Sequence, residues 1–163
     1  MKNIVLIGMM GCGKSTAGKN LSERLGLELV DTDQLIEARE GRTIPEIFAQ
    51  SGEQCFRDLE LALCRELAGR EGLVISCGGG LPMNPDCIGA LKQSGTVIFL
   101  HRDGEDIYDN VNMEHRPLGQ VSREAFLERC RQREPVYRRW ADHVVDTRAT
   151  AEETLEVILE VLK

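Results

Sequence analysis

The chain has 163 residues, 42% of them hydrophobic and 29% charged, and Lys+Arg 20 against Asp+Glu 27 gives a net charge of −7. That size suits one domain, 1–163, built around a single core. The acidity argues against a partner bound through a basic stripe, so neither nucleic acid nor a membrane surface is expected. No apolar run approaches the ~18 residues of a membrane span, and 4% aromatic residues disfavour a stacking platform for single strands. The 6 cysteines form no CxxC pair and no metal-type spacing. The apolar run Ile4-Val5-Leu6-Ile7 is too short for a secretory signal. The thiols therefore read as reduced packing residues of a cytoplasmic protein.

The first element is a buried strand over 3–7, continuously apolar and β-branched. It runs into Gly8-Met-Met-Gly11-Cys-Gly13-Lys14-Ser15, a full GxxxxGK[ST] match, and then into a helix starting at Ser15 with Ala17, Leu21 and Leu25 on one face. A strand before the motif and an amphipathic helix after it are the setting the chemistry needs. Glycines let successive N–H groups curl inward as an anion nest, and the helix N-terminus adds its positive dipole. Lys14 can reach β- and γ-phosphates, and the Ser15 hydroxyl can take a place on Mg²⁺. The chain is expected to bind a nucleoside triphosphate.

Leu29-Val30 is a shorter strand, followed by Asp31-Thr32-Asp33 at a βα junction where ligands usually sit. One carboxylate could serve a Mg²⁺ shell while the other takes a proton from an attacking hydroxyl. Asp33 reads equally well as the N-cap of a helix over 34–39. Next, Ser51-x-x-Gln54 reads as a capping box opening a helix that stacks Phe56, Leu59, Leu63 and Leu67. The strand 73–77 leads into Gly78-Gly79-Gly80, where missing side chains permit close approach of backbone and substrate. A strand over 96–100 follows. The polar stretch Asn110 to Gln120, with Arg116 before Pro117, has no helical period and suits a mobile lid over about 110–123. Arg57 begins a helix, Arg133 lies on a helix running toward Pro135, and most such arginines are simply solvated. Val144-Val145 is the last strand. A helix after Thr150, with Glu153 completing a second capping box, stacks Leu155, Ile158, Leu159 and Leu162. Strand–helix alternation of this kind gives right-handed crossovers and an α/β three-layer domain with about five parallel strands flanked by helices.

GMMGCGKST, VDTD at 30–33, GEQCFRDLE at 52–60, SCGGG at 76–80, HRPL at 115–118 and REPVYRR at 133–139 together resemble the shikimate kinases, in order and spacing, over nearly the whole chain. The resemblance implies a five-stranded parallel sheet of the nucleoside monophosphate kinase type. It also implies transfer of the ATP γ-phosphate to the 3-hydroxyl of shikimate in aromatic amino-acid synthesis. On that basis Gly11, Cys12, Gly13, Lys14, Ser15 and Thr16 cradle the phosphates, and Ser15 ligates Mg²⁺ with Asp31 acting through water. Asp33 is the general base and contacts ring hydroxyls. Arg57 and Arg133 clamp the shikimate carboxylate, and Gly78, Gly79 and Gly80 line the ring. Arg116 closes in with the lid to neutralise the transferring phosphoryl group, and the enzyme is expected to work as a monomer. The chain departs from the family where an arginine usually packs on adenine, since Tyr108, Asp109 and Asn110 stand there. Thr150, Ala151 and Glu152 likewise replace the usual proline, and Arg148 is the available substitute for the base contact. A gluconate-type kinase, or a nucleotide-binding module without turnover, are the alternative readings.

Overall fold

The computed structural model describes residues 2–110 and 122–163. The sheet has five parallel strands in the order β2-β3-β1-β4-β5. They are β1 Asn3–Ile7, β2 Glu28–Asp31, β3 Leu73–Ser76, β4 Gly95–His101 and β5 His143–Asp146. The run NIVLI is buried at every position because β1 is the central strand and is covered on both faces. Asn3 is also buried. Its side chain donates to the Arg70 carbonyl at 2.9 Å and accepts from the Leu73 N–H at 3.0 Å, so it ties β1 to the chain entering β3. The edge strands β2 and β5 each bury a single residue, Val30 and Val145, and leave the others partly or fully exposed, as half-covered strands do.

The helices are α1 Lys14–Leu25, α2 Thr32–Glu40, α3 Ile44–Ser51, α4 Glu53–Ala68, α5 Pro85–Ser94, α6 Gly104–Asn110, α7 Arg123–Trp140 and α8 Ala151–Val161. From β1 the chain crosses through α1 to β2 on one side, while from β3 it crosses through α5 to β4 on the other. Right-handed crossovers in opposite directions put α1 and α5 on opposite faces. The reversal leaves a crevice at the C-terminal ends of β1 and β3, where open α/β sheets bind ligands.

Three local expectations change. Ser51 does not cap α4: it is the last residue of α3, and the chain turns at Gly52 with φ +86° to begin α4 without a side-chain cap. The capping box in this region belongs to Thr43 and Glu46 at the start of α3. At residues 31–33 the N-cap is Asp31, whose Oδ1 accepts from Gln34 N at 3.0 Å, so Asp33 falls in the first turn and its carboxylate is released from capping. The helix carrying Arg133 runs through Pro135 to Trp140, because Phe126 and Tyr137 anchor it in the core on both sides of the proline. Thr150 does cap α8, accepting from Glu153 N at 3.1 Å. Most of the expected lid, including Arg116, lies outside the described residues.

Candidate active site

The loop between β1 and α1 is shaped by close approaches. Gly8 has φ +151°, and a Cβ there would lie 2.6 Å from the Leu100 carbonyl oxygen and 2.8 Å from Cys12 Sγ, so only glycine fits between the loop and β4. Gly13, left-handed at φ +101°, caps α1 with no side-chain hydrogen bond. The N–H groups of the first turn are thus left to whatever binds there. Lys14 Nζ folds into the loop, donating to the carbonyls of Gly8 at 2.6 Å and Met9 at 3.0 Å. That places a cation at the centre of the nest.

Across a cavity of about 300 Å³ from Lys14 stands Asp33, and Gly11, Ser15, Thr16, Asp31 and Gly79 share its lining. Thr32, fully buried beside it, accepts from the Gly78 N–H at 3.0 Å and so fastens the start of α2 to the turn after β3. At Gly78 a Cβ would sit 2.4 Å from Asp33 Oδ1, so a side chain there would evict the carboxylate. Burial, and then the Asp31 carboxylate two residues away, push the Asp33 pKa up to about 6, while Lys14 opposes the shift from across the cavity. A carboxylate with that pKa is mostly ionised near neutrality yet basic enough to take a proton, as a general base requires.

Gly79 and Gly80 meet the arginines. A Cβ on Gly79 would be 3.0 Å from Arg133 Nη1, and one on Gly80 would be 3.4 Å from both Arg57 terminal nitrogens and 3.5 Å from Arg133 Nη2. Two guanidinium groups from α4 and α7 therefore converge on one short stretch of backbone. Arg57 is held by Glu60 at 3.0 Å and lies over the Phe56 ring at 5.3 Å. Glu60 is almost fully buried; desolvation pushes its pKa up and the Arg57 guanidinium pulls it back. Tyr137, buried on α7, donates to the Gly79 carbonyl at 2.6 Å and fixes the turn. Glu60 and Tyr137 sit inside the quoted motifs; Glu60 stands three residues past Arg57 on one helix, a spacing that signals an ion pair, whereas nothing local ties Tyr137 to Gly79.

On the other side of the P-loop a cavity of about 440 Å³ is bounded by Gly13, Thr16, Arg102, Asp106, Thr147 and Arg148. Arg148, the nominated substitute for the missing base contact, forms part of this wall. Arg102 belongs to none of the motifs that carry the resemblance. Its signal was its position, directly past the C-terminal end of a central parallel strand.

An anion nest at a helix start, facing a half-buried carboxylate at a topological switch point, places the chain among the P-loop phosphotransferases. The shikimate kinase family model matches residues 10–163. A shikimate kinase of Pelotomaculum thermopropionicum is 45% identical over all of this chain and 96% of its own length. The structure of the Acinetobacter baumannii shikimate kinase in complex with shikimate superposes with a TM-score of 0.90 at 37% identity, covering 99% of this chain and 93% of that one. A gluconokinase from Sinorhizobium meliloti 1021 shares the fold alone, at 21% identity and a TM-score of 0.61. The chain belongs to the shikimate kinase family, and it is an ATP-dependent kinase with an alcohol acceptor.

Proposed function

We propose that the chain transfers the γ-phosphate of ATP to the 3-hydroxyl of shikimate, forming shikimate 3-phosphate and ADP. The observation that carries this reading is the convergence of Asp33, Arg57 and Arg133 on Gly78–Gly80, opposite Lys14. An acceptor with one carboxylate and a ring of hydroxyls fits that layout. The planar forks of Arg57 and Arg133 suit a carboxylate bidentately, and Asp33 can accept a hydrogen bond and then the proton of the attacking hydroxyl.

On the donor side, backbone N–H groups of Gly11 to Thr16 and the start of α1 hold the phosphates, and Lys14 exchanges its carbonyl partners for phosphate oxygens. Charge that develops on the transferring group is then met by preorganised donors rather than by water. Arg116, assigned from the family resemblance, supplies further positive charge; it lies outside the described residues. The donor set around Ser15 suits Mg²⁺. The Ser15 hydroxyl and the Asp31 carboxylate line the same cavity, and Asp31 uses one oxygen to cap α2, leaving the other available through a water. A Mg²⁺ held by these groups would supply positive charge to neutralise the donor phosphates.

The chain is read as a cytoplasmic monomer acting on two small anions, with neither nucleic acid nor membrane as partner. The net charge of −7 argues against a nucleic acid or a membrane surface bound through a basic stripe, and no helix among the described residues is long and apolar enough to cross a membrane. A coupled ADP-release assay with shikimate, with gluconate and with no acceptor tests the proposal. Turnover that needs shikimate supports it. Equal turnover with gluconate, or ADP release independent of acceptor, would overturn it.

A further inference from the structure

Neither the P-loop motif nor the family resemblance assigns a role to the cation that follows β4. Arg102 comes directly after His101, the last residue of β4, two residues past the end of its pairing with β1. It borders the cavity that holds Gly13, Thr16 and Arg148, and it also borders the cavity over Lys14, Ser15 and Asp33. A side chain common to both stands at the passage between them, along which a polyphosphate seated on the nest must run. Its Nε donates to Asp106 Oδ2, and the other oxygen of that carboxylate accepts from Asn110 Nδ2 at 2.7 Å, which fixes the pair on α6. Among the described residues the two terminal nitrogens have no hydrogen-bond partner, and the side chain is 30% exposed. The guanidinium is thus anchored at Nε, with both terminal nitrogens left for another partner, in a residue that lines both cavities.

We propose that Arg102 is a phosphate-binding residue: its terminal nitrogens hydrogen-bond non-bridging oxygens of the α- and β-phosphates of the donor, while Asp106 positions it through Nε. A fork presented to a planar or tetrahedral oxyanion is the geometry that arginine serves best. Stacking on the base would keep the guanidinium within the outer cavity alone, and Arg102 borders both. The inference rests on the P-loop being the nucleotide site, and the experiment separates the two.

Titration calorimetry of the full chain with ADP, GDP, adenosine and shikimate provides the test, on the unaltered protein and on Arg102→Gln, Arg102→Ala, Arg102→Lys and Lys14→Ala. Arg102→Gln retains a donor toward Asp106, so it remains informative should the alanine variant fold poorly; unchanged shikimate binding certifies the fold. Loss of ADP binding in Lys14→Ala establishes the P-loop site on its own, and absence of ADP binding by the unaltered chain would defeat that reading instead. The expected result is ADP and GDP affinity lowered by the same factor, about tenfold or more, in Arg102→Gln and Arg102→Ala. Adenosine affinity stays unchanged, and the lysine variant recovers part of the loss. Unchanged ADP affinity would overturn the proposal. A loss equal for adenosine and ADP, or confined to ADP and sparing GDP, would assign Arg102 to the base and overturn it as well.

Discussion

In the proposed function the groups on the donor side of the cleft that face a nucleotide come mostly from one stretch, residues 8–16, and most of them are backbone N–H groups. The acceptor side draws Asp33 from α2, Arg57 from α4, Gly78–Gly80 from the turn after β3 and Arg133 from α7. The donor half is a local conformation, held by glycine geometry and by the start of one helix. The acceptor half is a tertiary assembly of charged side chains, each with its own support: Thr32 and Gly78 beside Asp33, Glu60 beside Arg57, Tyr137 beneath Gly79. Backbone donors recognise phosphate whatever carries it, whereas placed side chains discriminate between acceptors. Substitutions on the acceptor side should therefore change chemistry and selectivity, and those on the base-facing edge of the donor side should change little.

The largest effect is expected at Asp33. Asp33→Asn keeps the shape and removes proton acceptance, so kcat should fall by roughly 10²–10⁴ with the fold intact. In the unaltered enzyme the acid limb of the pH–rate profile should turn near the Asp33 pKa of about 6, and in the variant that limb should vanish. Retained turnover would return Asp33 to a structural role in the first turn of α2.

Next in size is the carboxylate clamp. Arg57→Lys and Arg133→Lys each keep the charge but lose the planar fork, so KM for shikimate should rise about ten- to a hundredfold. KM for ATP should stay nearly constant. Steady-state kinetics with each substrate varied in turn makes the split visible, and a normal KM for shikimate in both variants would remove the clamp.

A smaller effect concerns the base. With Tyr108, Asp109 and Asn110 where an arginine would stack, the preference for ATP over GTP in kcat/KM should be about tenfold or less, since an arginine-on-ring contact contributes only about 0.5–2 kcal/mol. Arg148→Ala should reduce it further. A preference above about a hundredfold would mean that the outer cavity reads the base through other groups.

The smallest effect is on stability. The raised pKa of Asp33 favours its protonated form in the folded state. The associated stability is fully present below the ordinary carboxylate value of 3.8 and is lost as pH rises through about 6. Asp33→Asn should therefore stabilise the ligand-free protein by about 1–2 kcal/mol at pH 8, allowing for solvent screening. The gain should shrink toward pH 4, as urea unfolding at the two pH values would register. An equal gain at both would show that burial and Asp31 do not strain the carboxylate.

The central strands, the helices α1, α4 and α8, and the P-loop were legible in the sequence because each depends on interactions within a few residues. Continuous β-branched runs report strands buried on both faces, a 3.6 period reports a helix face, and GxxxxGK[ST] fixes a backbone path by glycine sterics. The same locality explains where the reading failed. Ser51-x-x-Gln54 has the right letters for a capping box, but α3 already ends at Ser51, and only the packing of α3 on α4 at Gly52 decides which helix it belongs to. The motifs propose the acceptor residues without revealing what holds them. The pKa of Asp33 depends on burial against Gly78, and the aim of Arg57 depends on Glu60. Arg102 faces the P-loop only because β4 lies beside β1. The Arg57–Glu60 pair is an i,i+3 contact within α4, whereas the other two facts join segments tens of residues apart, so they are set by strand order and crossover handedness, which no local pattern encodes.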